Sequence, residues 1–271
     1  MHLGATLRLL RLESGLGLRD LARRLGVSGT YLSRVENGLD ASPTPARLEA
    51  IARELALPRE LLLALAPQVN PLVVDYVHAV PNAGALFLEI AQRRLNDAEL
   101  DEVRAFLGER FPMARSTPPL STPGVSELLS EERIVLGFAS SDLVDALDVL
   151  SGRLASATGS TPRVIARLLR EREREVPSGL GRGVAVCSVH VEGVAPTAAL
   201  VTLAEPLDSH TPDALPLSVL FALVGPRAWS ERRFVLAEIA RLAARDLGQK
   251  LLGANSARDA LSRLGLLETW R

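Results

Sequence analysis

Apolar residues recur at three- and four-residue spacing through the first part of the chain, which predicts a row of short amphipathic helices. In the first, Leu3, Leu7 and Leu10 build one face with Leu9 and Leu12 beside it, and Gly15 stops the helix. Leu18, Leu21, Ala22 and Leu25 give a second helix and Gly26 and Val27 a turn; Ser28 is an N-cap for a third helix that ends at Gly38. Helical spacing continues from Asn70 to Phe111, where Pro81 and the pair Asn96 and Asp97 divide it into about three helices. The stretch PMARSTPPLSTPG has no apolar period and reads as a semi-extended linker ending near Gly124.

Beyond the linker the period changes. Residues 131–139 suggest a strand, 141–155 a helix opened by a serine-aspartate signal, and 161–175 a second helix. Strand-like runs follow at 183–191, 198–204 and 217–224, then a long helix over 230–252 and a short one over 257–264. Strands with helices between and after them imply an α/β sandwich with a mixed sheet. The expected organisation is a helical domain over 1–66, a helical extension over 67–111, a linker over 112–125 and an α/β domain over 126–271.

At 271 residues and 47% hydrophobic, the chain can hold two cores. No run approaches the roughly 18 apolar residues of a membrane span, and the periodic, charged N-terminus does not read as a signal peptide, so a cytoplasmic protein is expected. The single cysteine, Cys187, cannot form an internal disulfide; four histidines (His2, His78, His190, His210) lack metal-ligand spacing. Neither a metal nor a cofactor is expected. A formal net charge of −1 means that any DNA binding must come from a local surface.

Such a surface is suggested near the N-terminus. The run LRDLARRLGVSGTYLSRVENG resembles the helix-turn-helix of the phage-repressor and Cro-like class, and PARLEAIARELALPRELL resembles the two closing helices of that five-helix domain. The resemblance covers residues 3–65. It implies that Ala22 permits close helix crossing, that Leu21, Val27, Leu32 and Val35 fill the core, and that the second helix enters the major groove. Ser28, Gly29, Thr30 and Ser33 would then face base edges with Arg34 on a base or phosphate, while Arg19 and Arg23 lie over the backbone of double-stranded DNA. Such proteins usually bind two-fold sites, so the 67–111 extension is expected to make a homodimer contact or else to extend the first core.

Residues 179–190, GLGRGVAVCSVH, carry the second resemblance. In the enzyme IIA domains of the fructose, mannitol and nitrogen phosphotransferase systems a similar stretch reads GIGNGVAIPHA, and its histidine accepts a phosphoryl group. With the GVAV of residues 183–186 as anchor, the asparagine corresponds to Arg182, the proline to Cys187 and the histidine to Ser188. LLSEERIVLGF, ASSDLVDALDVLSGRL, ALVTLAEPLD and LSVLFALVGP extend the resemblance over the α/β domain. The family's arginine-glutamate pair corresponds to Arg172 and Glu173, the serine and threonine after it to Pro177 and Ser178, and a frequent second histidine to Arg232.

Phosphohistidine transfer needs a neutral, nucleophilic imidazole and a labile phosphoramidate. A serine hydroxyl supplies neither, so the domain is expected to have lost carrier chemistry and to serve as an interaction or ligand-sensing module, with a protein or small anion as effector. Arg182 and Arg232 together are candidates for holding that anion; the alternative is that both face solvent. Ser188 and His190 share one face of an extended strand, which leaves open a phosphotransferase-linked regulator using His190. Cys187 is expected to pack as a small buried residue rather than to sense redox. A third reading is an adaptor or assembly factor that does not bind DNA.

Overall fold

The computed structural model describes residues 2–66, 71–111, 124–208, 211 and 213–268. The linker expected over 112–125 falls, up to residue 123, outside the described residues, as does His210. By contact the chain forms two compact units, residues 1–67 with 123–271, and residues 68–122.

Five helices open the first unit: α1 (His2–Glu13), α2 (Leu18–Arg24), α3 (Gly29–Glu36), α4 (Pro45–Glu54) and α5 (Arg59–Leu65). Each boundary has a local cause. Gly26 turns the chain at φ +65°, a conformation that a Cβ strains, and the Ser28 hydroxyl accepts a hydrogen bond from the Tyr31 amide at 3.0 Å to cap α3. Leu21, Ala22, Leu32 and Val35 are buried as expected, with Val27 partly buried against them. Gly4 lets α1 cross the end of α3, since a Cβ there would stand 2.3 Å from the Val35 carbonyl oxygen.

The second unit holds α6 (Pro71–Ala79), α7 (Pro81–Arg93) and α8 (Asp97–Arg110). Pro81 occupies the first turn of α7, where its missing N–H costs nothing, and Asn96 and Glu99 close a reciprocal capping box at α8. Tyr76, Leu86, Phe87, Leu88, Phe106 and Leu107 on these helices are exposed.

The rest of the first unit is a five-stranded mixed sheet with helices on both faces. Its elements are β1 (Ile134–Phe138), α9 (Leu143–Thr158), α10 (Pro162–Glu175), β2 (Gly179–Gly181), β3 (Val184–His190), β4 (Thr197–Leu207), β5 (Leu217–Gly225), α11 (Arg232–Ala243), α12 (Leu247–Leu252) and α13 (Ala257–Glu268). Strand order is β1-β4-β5-β3-β2, with β1 parallel to β4, β3 parallel to β5, and the other pairs antiparallel. The two-residue alternation of β3 sends Ala185, Cys187 and Val189 into the layer formed with α9 and α10, and Val184 and Val186 into the layer that holds α11.

Two expectations of this region need correction. The strand expected over 131–139 begins only at Ile134, because residues 131–133 form a 3₁₀ turn. The helix expected over 230–252 breaks after Ala243; Arg182 donates to the freed carbonyl of Arg245, and Gly248 packs close to the Arg182 backbone. That carbonyl acceptor and the glycine cradle are tertiary features, so the apolar period runs through a break that it does not mark.

Helix α11 joins the two ends of the chain. Nearly all its residues are buried, those on one side against the sheet and those on the other against α1 and α5. Residues from α1 to α5 and from α11 to α13 therefore belong to one continuous apolar cluster, where two separate cores were expected. Arg233 reinforces the join by donating to the Leu55 carbonyl at 2.9 Å and to the Ser14 hydroxyl at 3.3 Å.

Candidate functional sites: a helix-turn-helix face and a closed cation cluster

The first site is the exposed side of α2 and α3. Ser28, Thr30 and Arg34 are exposed, Gly29 and Ser33 partly so, and Arg19 and Arg23 project from α2 beside them. A Cβ on Gly29 would touch the Arg19 side chain at 4.0 Å, so the α2 cation borders the start of α3. Arg23 pairs with Asp20 at 2.7 Å and Arg34 with Asp40 at 2.8 Å, both in solvent. Such exposed pairs are worth about 0–1 kcal/mol, so a phosphate or base edge can replace either carboxylate at little cost.

Two features of this domain carry no mark in the sequence. Arg47 of α4 lies over the Tyr31 ring at 5.4 Å and adds a cation beside α3. Arg11 of α1 binds both carboxylate oxygens of Glu36 at the end of α3, at 2.6 and 2.8 Å, and donates to the Leu16 carbonyl at 2.9 Å. This buried fork sets the position of α3 against α1.

The second site lies at the end of β3. Ser188 is buried, and Arg232 donates through one terminal nitrogen to its hydroxyl and to the Val189 carbonyl, both at 3.0 Å. The other terminal nitrogen donates to the carbonyls of Gly225 at 2.7 Å and Pro226 at 3.2 Å, and the guanidinium lies 5.2 Å from the Trp229 ring. Arg232 is thus neither solvated nor beside Arg182. Arg182 is exposed in the turn between β2 and β3, where its amide donates to Asp213 at 2.7 Å and its guanidinium to Arg245. Residues 184–190 alone span about 20 Å of strand, which separates Arg182 from His190. The expected pairing of Arg182 with Arg232 around one anion is not formed.

His190 does share its strand face with Ser188, as the alternation of β3 requires. Its Nε2 stands 4.0 Å from a carboxylate oxygen of Glu13, the last residue of α1, whose other oxygen accepts from Arg172 at 3.0 Å. Burial holds the imidazole below the usual histidine range; Arg232, Arg227 and Arg172 push it the same way and Glu13 opposes them. The ring is therefore neutral near pH 7. Glu173 accepts from the Ser178 amide at 3.1 and 3.2 Å, and desolvation raises its carboxyl above the usual range. Cys187 packs under α10 with its thiol 3.5 Å from the Leu169 carbonyl; desolvation pushes its ionisation far up, which leaves an unreactive thiol. Among the described residues no group of histidine, cysteine and carboxylate side chains has the arrangement of a metal site, and no helix is long and apolar enough to cross a membrane.

Comparison with known proteins agrees with these two parts. A family model described as a helix-turn-helix domain matches residues 2–65. The HTH-type transcriptional repressor RghR of Bacillus subtilis is 42% identical over 60 residues, which cover 22% of this chain and 44% of that repressor. A nitrogen regulatory protein of Bradyrhizobium diazoefficiens is 28% identical over 145 residues, 52% of this chain and 95% of the relative. The crystal structure of nitrogen regulatory protein IIA-Ntr from Neisseria meningitidis is 26% identical, covers 52% of this chain and 98% of its own, and superposes with a TM-score of 0.49. Residues 2–65 are a helix-turn-helix domain, and the C-terminal region, with its five-stranded mixed sheet and flanking helices, is similar to nitrogen regulatory protein IIA-Ntr and the IIA domains of the phosphotransferase system.

Proposed function

We propose that the chain is a sequence-specific, DNA-binding transcriptional regulator, working in the cytoplasm as a homodimer, whose C-terminal domain is an interaction or ligand-sensing module and not an enzyme. The observation that carries the DNA reading is the open face of α3 from Ser28 to Arg34, bordered by Arg19 and Arg23, in a domain whose relative is named a transcriptional repressor. Ser28 already spends its hydroxyl on the cap, so Thr30, Ser33 and Arg34 carry the base contacts, with Arg47 as a further phosphate contact. The exposed aromatic and aliphatic residues of α6 to α8 supply a face for a second copy, as two-fold operators need.

Thr30→Ala combined with Arg34→Ala is expected to reduce operator affinity at least about 30-fold while thermal unfolding is unchanged, because each lost base contact is worth about 1–3 kcal/mol. Arg19→Ala should weaken binding on all sequences alike and lower the salt slope by about one. Unchanged operator affinity of the double variant in a gel-shift series would remove the assignment; absence of any sequence-selective retention would favour the adaptor reading.

Loss of carrier chemistry rests on Ser188, a hydroxyl where the family has its phospho-accepting histidine and one held by the Arg232 guanidinium. With general phosphotransferase components and labelled phosphoenolpyruvate, the chain should take up no acid-labile label. The neutral, partly exposed imidazole of His190 keeps one competing outcome concrete. Label lost in acid and abolished by His190→Ala would establish His190 as a phosphoryl acceptor instead.

A further inference from the structure

Helix α10 carries a line of cations that neither its packing nor the two sites above use. Arg163, Arg167, Arg170 and Arg174 follow one another at spacings of four, three and four, so they lie along one side of the helix. The line is about 16 Å long, with neighbours about 5–6 Å apart. The opposite side of α10, with Ile165 and Leu169, is buried against the sheet. Together with Asp148 of α9 the four arginines border an open groove of about 720 Å³.

Much of this charge is uncompensated. Arg170 pairs with Asp148, and Arg167 approaches Glu171 only to 4.0 Å. Arg163 and Arg174 are exposed and make no ion pair or side-chain hydrogen bond among the described residues. Arg163 also stands in the first turn of α10, where the positive end of the helix dipole opposes a cation and no acidic residue offsets it. An anion lying along the helix relieves both conditions.

The rest of the groove says which anion. A protein partner is held by an apolar and aromatic centre that excludes water, whereas here Val164 is the one exposed aliphatic side chain beside the arginines and no aromatic residue joins it among the described residues. Guanidinium groups with little apolar area suit a phosphodiester backbone, which is bound through its charge and repeats along a line. Position points the same way. Helix α10 belongs to the same compact unit as the helix-turn-helix domain, and Arg172 in its last turn bonds Glu13 at the end of α1 at 3.0 Å. Arg19, beside the start of α3, follows Glu13 by six residues, at most about 22 Å of chain. The arginine line therefore begins within one turn of a duplex, about 34 Å, from the helix-turn-helix face.

We infer that Arg163, Arg167, Arg170 and Arg174 form a second DNA-contact surface, which holds the phosphodiester backbone of double-stranded DNA flanking the operator. This surface depends on the DNA-binding reading of the helix-turn-helix face, and it gives the C-terminal domain a partner, the same duplex. Such contacts add affinity and salt dependence without base preference.

The test uses the full chain and duplexes that it selects from a random-sequence pool. Each is cut to about 20 base pairs around the operator or left with mixed-sequence flanks to about 40, and binding is followed by fluorescence anisotropy over a range of salt. The unaltered protein should bind the long duplex at least about tenfold more tightly than the short one at low salt. Arg163→Gln with Arg174→Gln should lose that gain, bind the short duplex unchanged and lower the salt slope on the long duplex by about two. Both side chains are exposed, so thermal unfolding should not move. Arg153→Gln with Arg258→Gln neutralises two exposed arginines elsewhere on the same domain and should behave as the unaltered protein. Equal affinity for the two lengths, a long-duplex gain that survives in Arg163→Gln with Arg174→Gln, or an equal loss in the Arg153 and Arg258 control overturns the proposal and leaves operator binding through α3 intact. Failure to retain any duplex removes the regulator reading, and this surface with it. A poly-glutamate peptide bound by the unaltered protein and lost by Arg163→Gln with Arg174→Gln, with no effect of duplex length, would assign the arginines to an acidic protein and overturn the DNA contact.

Discussion

Replacement of Arg11 by alanine is expected to destabilise the chain by about 3–5 kcal/mol, a large share of the roughly 5–15 kcal/mol that holds a domain together. Arg11 and Glu36 are 7% and 4% exposed at the side chain and bind as a two-pronged fork, so removal of the guanidinium leaves the Glu36 carboxylate buried without its cation. The Leu16 carbonyl loses its donor as well. Arg11→Lys keeps the charge but not the fork and should cost less than alanine. Arg11→Met together with Glu36→Leu removes both charges and should recover most of the loss, since an apolar pair of similar volume avoids desolvating two ions. Denaturant unfolding of the three variants beside the unaltered protein measures this. A change below about 1 kcal/mol in Arg11→Ala would mean that the pair does not bind α1 to α3. Because Glu36 ends the helix that carries Thr30 and Arg34, Arg11→Ala should also weaken operator binding without altering any DNA-facing residue.

Arg232→Ala is the second large effect expected, at about 2–4 kcal/mol. The Ser188 hydroxyl and the carbonyls of Val189, Gly225 and Pro226 share this one donor group; Gly225 and Pro226 keep the amide donors of Val191 and Trp229, so the cost falls mainly on Ser188 and Val189, at about 1–3 kcal/mol for each buried acceptor that loses its partner, offset by the relief of a desolvated cation. Arg232→Lys should not restore the loss, because a single ammonium cannot reach acceptors arranged around a planar fork. A pH signature accompanies it. His190 is held below its ordinary 6.5 by burial, by Arg232, and by Arg227 and Arg172 against the opposing pull of Glu13. A histidine that resists protonation in the folded state makes the native protein less stable as pH falls below about 6.5, since the unfolded chain binds the proton first. Arg232→Ala removes one of those repulsions. The His190 ring should then titrate at higher pH by NMR, and the acid-side loss of stability should shrink. An unmoved His190 titration would show that the Arg232 charge does not reach the site.

The difference between what was legible in the residues and what was not follows the range of the forces involved. The caps at Ser28, Asn96 and Asp142, the turn at Gly26 and the 3.6 and 2 periods are properties of a few neighbouring residues. They place most helices and strands within a residue or two. The three-residue strand β2 has too few side chains to show a period, and the break after Ala243 answers to Arg182 rather than to its own sequence.

The site divides along the same line. Which residues occupy the helix-turn-helix face, and that serine stands where a carrier histidine is expected, are matters of order along the chain and were readable there. Glu13 and Arg172 lie 159 positions apart and Arg11 and Glu36 lie 25 apart, and the chain between them contains no local signal that these charges meet. A charged residue in an amphipathic helix looks the same whether it ends in water or against another domain, and only burial distinguishes the two. The sequence by itself determined the two domain types and the helix and strand periods, because each is written in local spacing. Only the tertiary structure decided that α11 joins both ends of the chain, that Arg182 and Arg232 part, and that Glu13 closes the cation cluster, because these depend on the desolvation and pairing of charges that packing alone brings together.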